Sequence, residues 1–293
     1  MSASASLLTT KLYLPSLRPN RALRLRLTGR LNEVTLSMFR HAIVRKPGAN
    51  FAEGLTTVDL GVPIFEKALE QHKRYCEVLK QCGLTLTVLE ADLQYPDSTF
   101  VEDTAVLAGQ CAILTHPGAM SRVGEVAKIK EALARFFNKF HAITPPGTLD
   151  GGDICEAENH FFIGISERTN EEGARQLAGF LAQEGYTSAC VDIRGLKSIL
   201  HLKSGLAYIG DNTLVVIDAL AGREVFPGYD LIRMEENESY AANCMRVNES
   251  VLLPAGYPAL QASLLNAGYP LISLEMSEFR KMDGGLSCLS LRF

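Results

Sequence analysis

One grammar returns along the chain with little sequence identity: an apolar strand, a short polar turn, a second apolar strand, then a helix. "TAVLAGQCAILTHPG" followed by "SRVGEVAKIKEALARFF" is the first full copy, and "GDICEAENHFFIGIS" followed by "NEEGARQLAGFLAQEGY" is the next. "GLAYIGDNTLVVIDA" repeats the hairpin with a much shorter segment behind it, and "NCMRVNESVLLPAGY" followed by "PALQASLLNAGYPLISL" completes the series. Near the start, "HAIVRKPG" and "PIFEKALEQHKRYCEVLKQCGLTLTVLE" supply a further strand, helix and strand. A hairpin plus one amphipathic helix cannot bury its own apolar face, so copies must pack around a shared core. The fold class expected is α/β, a five-unit α/β propeller of ββαβ-like units in one domain over residues 38–293. An open α/β sheet uses the same elements and stays open as an alternative. No Gly/Pro/Ser-rich linker divides the chain.

Residues 1–37 lie outside this grammar. They are rich in Ser and Leu, carry Lys11, Arg18, Arg21, Arg24, Arg26 and Arg30, and have no acid before Glu33. That composition fits an organelle transit peptide. It fits equally an upstream start or disordered tail ahead of Met38, which opens a natural first strand, and this second reading is preferred. Composition narrows the function classes. A formal net charge of -4 offers no electrostatic case for nucleic acid or an anionic membrane. No apolar run approaches the roughly 20 residues that span a bilayer. Seven cysteines without a C-x-x-C pair or a close His partner indicate neither a zinc site nor a disulfide framework. With no signal peptide in view, they point to a reducing cytosol.

If loops between units converge on a ring axis, their residues form the pocket. "PDSTFVED" carries Asp97, Glu102 and Asp103; "GTLDGGD" carries Asp150 and Asp153; "HLKSG" carries His201; "MDGGLSC" carries Cys288. Read with period two, "CLSLRF" is a last strand with Leu289, Leu291 and Phe293 on one face and Cys288, Ser290 and Arg292 on the other. Alone, the cysteine fits a small core residue, a stray thiol or a nucleophile. Together, Cys, His and several acids are what a thiol-dependent transfer enzyme uses. Clustered carboxylates repel unless a cation fills the space between them, and a planar guanidinium fits that role.

The stretches "FVEDTAVL", "GTLDGGD", "SERTNEEGARQ", "HLKSGLAYI", "YAANCMRVN", "LLPAGYP" and "DGGLSCLSLRF" closely resemble the dimethylarginine dimethylaminohydrolases, especially their bacterial form, within the guanidine-modifying pentein superfamily. The resemblance covers about residues 38–293 and implies the pentein five-unit propeller. It implies Cys288 as nucleophile, His201 as general acid/base and Asp150 as the carboxylate partner of His201 and substrate. It further implies Asp97, Glu102 and Asp103 as substrate-binding acids, and Arg122 and Arg168 as holders of the substrate's α-carboxylate end. Leu55 is implied as a lid residue and Met282 as a variable pocket residue. The activity implied is hydrolysis of N-omega-methylated arginines to citrulline and methylamine or dimethylamine through a cysteine thiouronium adduct. No metal or organic cofactor is implied. The partner is a small cationic amino-acid substrate, without nucleic acid or membrane, and a homodimer is an admissible assembly. Rivals are arginine deiminase or amidinotransferase of the same superfamily, a cysteine peptidase, and a non-catalytic methylarginine-binding protein.

Overall fold

The computed structural model describes residues 38–293; the expectation for residues 1–37 lies outside them. The described residues form five three-stranded sheets, each with the same internal order. In the first complete copy, β3 (Ala105–Ala108) pairs antiparallel with β4 (Cys111–Leu114), and β4 pairs parallel with β5 (Lys139–Ala142) across helix Glu125–Leu133. The sheets β6–β7–β8 (Ile154–Ala157, His160–Ile165, Thr187–Asp192) and β9–β10–β11 (Leu206–Tyr208, Thr213–Ile217, Asp230–Met234) repeat the pattern. So does β12–β13–β14 (Met245–Val247, Ser250–Pro254, Leu271–Leu274). The fifth sheet joins the two ends of the domain. β1 (His41–Arg45) pairs parallel with β2 (Thr85–Leu89), and the antiparallel place on its other edge is taken by β15 (Leu291–Arg292). The repeat read from the sequence is therefore the architecture, with the last strand completing the first unit.

The helices form for local reasons. In Phe65–Gln81 the buried residues Ala68, Gln71, His72, Tyr75, Val78 and Leu79 fall at three- and four-residue spacing, which makes one buried stripe. The helix stops at Cys82, and Gly83 follows at φ +94°, a left-handed geometry open to glycine. Asn170 caps helix Glu171–Gln183 by accepting from Gly173 N at 2.8 Å. Behind β10 the helix shrinks to Asp218–Ala221, as the short segment in that copy foreshadowed. Among the described residues no helix is long and apolar enough to cross a membrane.

A 3-10 turn stands before the antiparallel strand of every sheet, with no more than two residues between turn and strand. They are Val101–Thr104, Gly151–Asp153, Leu202–Ser204, Glu236–Ala242 and Ser287–Leu289. The first contacts the second and the fifth, the second contacts the third, and the third contacts the fourth. The unit-to-unit loops thus gather in one place, as the repeat reading required.

The last turn corrects one expectation. Cys288 is not on a strand: Ser287–Leu289 is a 3-10 turn, and only Leu291–Arg292 pairs with β1. Alternation fails as well, because Ser290 is as buried as Leu289 and Leu291. Its hydroxyl lies 2.6 Å from Tyr75 Oη and accepts from Arg292 Nη1 at 2.7 Å, so a buried serine is satisfied where the pattern put an outward one.

Candidate active site

The gathered turns line a cleft of about 380 Å³, open to solvent at its mouth. Cys288, His201, Asp150, Asp103, Asp97, Arg122, Arg168, Leu55 and Met282 all line it, together with Phe100, Leu200, Asp283 and Gly284. The first group comes from all but one of the five units.

His201 precedes the third turn and Asp150 the second. The imidazole Nε2 is 3.0 Å from Asp150 Oδ2, and Nδ1 is 4.0 Å from Asp103 Oδ1. Asp150 Oδ1 is held by Gly118 N at 2.9 Å, and Asp103 Oδ1 by Gly152 N at 2.9 Å. These turns meet closely because Gly152 lacks a side chain: a Cβ there would lie 2.8 Å from both Asp103 Oδ1 and His201 Nδ1. Burial alone would lower the His201 pKa, but Asp103, the Asp150 hydrogen bond and Asp153 outweigh it and raise it to about 9. Asp103 is likewise penalised by burial, yet His201, Arg122 and the Gly152 amide hold it below the usual carboxylate range.

Asp153 is a support. Its carboxylate accepts from Ser166 Oγ and Thr169 Oγ1, each at 2.6 Å, and from Leu202 N at 3.0 Å, which fixes the residue after His201. Full burial raises its pKa to about 6.

Cys288 is partly buried, and its Sγ accepts from Gly285 N at 3.4 Å. Burial first, then Glu102 and Asp103, push the thiol up to about 12, against smaller opposing effects of Gly285 N and Lys203. The same surroundings thus disfavour the Cys288 thiolate and favour the protonated His201 imidazole.

Two expected site residues differ from their assigned places. Glu102 does not line the cleft. Its carboxylate pairs with Lys203 Nζ, accepts from Ser287 Oγ at 2.8 Å and lies 3.6 Å from Arg292 Nη2, so it is spent behind the cleft. Along a 3-10 turn adjacent acids point in different directions, and Asp103 takes the inward one. Arg122 does line the cleft, but its fork is largely engaged: Nε and Nη2 bind Glu125 at 3.0 and 2.8 Å, and Nη1 binds Asp103 Oδ2 at 2.5 Å. Glu125, which the sequence reading missed, is raised to about 7 because burial outweighs its contacts with Arg122. Arg168 is half-buried, and its guanidinium forms no ion pair among the described residues.

At the mouth, Leu55 is 42% exposed and its amide donates to Asp97 Oδ1 at 3.0 Å. The strap continues with Thr57 N on Asp283 Oδ2 at 2.5 Å and Thr56 Oγ1 on Lys281 O at 2.9 Å. Burial raises the Asp97 pKa against the pull of Arg122 and the Leu55 amide. Phe100 lines the inner wall, with its ring centroid 5.9 Å from that of Phe51, tilted, and 6.3 Å from that of Phe279, edge to face.

Asp103, Asp150 and His201 converge closely enough to offer three ligand atoms to one ion, as do Cys111, His141 and Glu184 elsewhere. In the first group each carboxylate oxygen already accepts a hydrogen bond from the protein or faces Arg122 or His201. In the second, Lys139 already pairs with Glu184.

Five ββαβ units around a cleft lined by Cys, His and carboxylates define the chain as an α/β propeller of the pentein type. The structure aligns at TM-score 0.78 with the N-terminal domain of ArgZ, an arginine dihydrolase of cyanobacteria, over 87% of this chain and 97% of that one; at 18% identity this shows the fold alone. It aligns at TM-score 0.85 with a Cys-to-Ser mutant of the Pseudomonas aeruginosa dimethylarginine dimethylaminohydrolase complexed with citrulline, 44% identical over 87% of this chain and 100% of that one. In sequence, the Pseudomonas aeruginosa dimethylarginine dimethylaminohydrolase is 45% identical over 257 residues, 87% of this chain and all of its own length. The Streptomyces coelicolor protein of the same name is 34% identical over 86% of this chain and 96% of its own. Residues 62–224 match the family model for eukaryotic N,N dimethylarginine dimethylhydrolase. The chain belongs to the dimethylarginine dimethylaminohydrolase family.

Proposed function

We propose that this chain hydrolyses N-omega-methylated arginines, asymmetric dimethylarginine and monomethylarginine, to citrulline and dimethylamine or methylamine, with Cys288 as nucleophile. The observation that carries the reading is the lining of the cleft, which the Cys288 thiol shares with the His201 imidazole and the carboxylates of Asp97, Asp103 and Asp150. Such a site favours a cation. Each carboxylate oxygen that accepts one protein hydrogen bond keeps a lone pair for a second donor, so Asp103 and Asp150 can grip a guanidinium in a fork.

Docking the cation against the thiol lowers the thiol pKa, and the S–H proton passes to solvent as the guanidinium arrives. The Cys288 thiolate then forms a C–S bond to the central guanidinium carbon. The C–N bond to the alkylated nitrogen breaks as His201 gives its proton to the departing amine. That leaves a thiouronium adduct and a neutral imidazole. His201 next takes a proton from water, the hydroxide oxygen bonds to the same carbon, and the C–S bond breaks as the hydroxyl proton returns to the Cys288 sulfur, releasing citrulline. Asp150 holds the imidazole throughout, and Arg168, whose guanidinium has no ion pair among the described residues, takes the substrate carboxylate. Arg122 acts in the same direction chiefly by fixing Asp103 and Asp97. The parallel with the citrulline-bound relative supports the substrate class. A homodimer and residence in the cytosol belong to the same proposal.

Incubating the purified chain with asymmetric dimethylarginine should release citrulline and dimethylamine in equal amounts, and Cys288→Ser should release neither while keeping its melting temperature. Ammonia in place of dimethylamine would replace this reading with a deiminase, and wild-type turnover in the serine variant would remove Cys288 from the mechanism.

A further inference from the structure

The five 3-10 turns occupy equivalent places in the repeat, and four of them bring a mechanistic group to the cleft: Asp103, Asp150, His201 and Cys288 lie in or directly before them. The fourth turn, Glu236–Ala242, brings none. The residue that ends it, Asn243, is only 4% exposed and stands between two of the others. Its Nδ2 donates to Lys203 O at 2.9 Å and to Ser287 Oγ at 3.1 Å, and its Oδ1 accepts from Ser287 N at 3.0 Å. Lys203 lies two residues beyond His201, and Ser287 is bonded directly to Cys288. One carboxamide therefore ties the segment of the acid/base to the turn of the nucleophile.

The tie is closed on its other side. Ser287 Oγ donates to Glu102 Oε2 at 2.8 Å, and Glu102 Oε1 holds Lys203 Nζ. Asn243, Ser287, Glu102 and Lys203 make a closed polar ring behind the cleft, Lys203 joining it through both its carbonyl and its ammonium group, and three of the four are next to or near a residue that lines the cleft. The Cys288 turn also packs hard on the amide: a Cβ at Gly285 would lie 2.4 Å from Asn243 Oδ1. An amide suits this place because it offers two donors and an acceptor on one planar group. Aspartate lacks the donors, and glutamine needs a methylene's more room than the Gly285 contact leaves.

We propose that Asn243 is a positioning residue that sets the Cys288 thiol against the His201 imidazole. The inference rests on the hydrolase reading for its kinetic consequences, although the tether itself does not. A displacement of about 1 Å between reacting groups costs on the order of 10²-fold in rate. Asp103 and Asp150, which grip the guanidinium, and Arg168, which takes the carboxylate, are outside the ring, so binding should be spared.

The test compares Asn243→Ala and Ser287→Ala with the parent chain by steady-state citrulline formation and by hydrogen–deuterium exchange of peptides spanning 201–205 and 285–289. Asn243→Ala should lose about 10²-fold in kcat with KM unchanged within about threefold. Ser287→Ala, which keeps the Asn243 bonds to Ser287 N and Lys203 O, should lose less and serves as the test if the alanine at 243 does not fold. Exchange should quicken in both peptides of Asn243→Ala and stay as in the parent across 213–217. Parent-like kcat in both folded variants, or a rise in KM equal to the fall in kcat, would overturn the positioning role. If the parent itself forms no citrulline, the hydrolase reading fails separately. Unchanged exchange at 285–289 in Asn243→Ala would then still refute the tether.

Discussion

At the scale of single residues, the protonation state of Cys288 is the sharpest consequence of the geometry. An ordinary thiol titrates near ~8.5, whereas burial and the charges of Glu102 and Asp103 push this one to about 12. Alkylation by neutral iodoacetamide follows the thiolate, so its rate at Cys288 should keep rising through pH 9 instead of levelling there. A saturating guanidine ligand that cannot react should shift the dependence toward lower pH in any fraction still open to the reagent, since an added cation stabilises the thiolate. Site-resolved mass spectrometry across a pH series checks both. A plateau near pH 7 in the free protein would mean that a neighbour already stabilises the thiolate without substrate. The residue scale is also where sequence reading was least complete. Glu102 and Asp103 are adjacent acids with the same chemistry, and only the turn separates the one that lines the cleft from the one that anchors Ser287. Asn243 gave no signal of its own, because a lone asparagine reads as a turn residue until its three hydrogen bonds are seen.

At the scale of elements, the strands and helices were legible because their apolar spacing has a period, and the 3-10 turns were not because a run of three to seven residues shows none. Cys288 shows the cost: period two extended the last strand back over residues that turn. What the sequence did show at these turns was glycine, in "LDGGD" and "MDGGLSC", and the structure gives the reason. Gly152 lets the second turn pass His201 and Asp103 at a distance no side chain allows. Gly152→Ala should therefore leave the sheets in place but push the imidazole from Asp150, with a loss on the order of 10²-fold in kcat/KM. Circular dichroism and kinetics on the same sample distinguish this from unfolding. Full activity with alanine at 152 would show that the turns yield more readily than their packing indicates.

At the scale of the whole molecule, the ring is closed by two residues from the end of the described chain. β15 contributes the pairings Ala42 with Arg292 and Ile43 with Leu291, and the turn that carries Cys288 is separated from it by one residue. A chain ending at Ser290 should lose citrulline formation and melt at lower temperature, since the first unit would then lack its third strand and the core the buried side chain of Leu291. The same view bears on the other end: residues 1–37 match neither the repeat nor the family's motifs, and a chain starting at Met38 should keep both melting temperature and activity. The repeat made the five-unit fold readable despite weak identity between copies. The closure of the first unit by the last strand was hidden, because it joins residues about as far apart in sequence as the domain permits.

The central claim is that the acids of the cleft grip a guanidinium whose alkyl groups all sit on one nitrogen, the one that leaves. Measuring kcat/KM for asymmetric dimethylarginine, monomethylarginine, symmetrically dimethylated arginine and unmodified arginine tests it most directly. The account predicts turnover of the first two and rejection of the symmetric form, in which a methyl on the other nitrogen enters the space of the gripping carboxylates and leaves one without its donor. Equal efficiency on all four, or a preference for unmodified arginine, would contradict it.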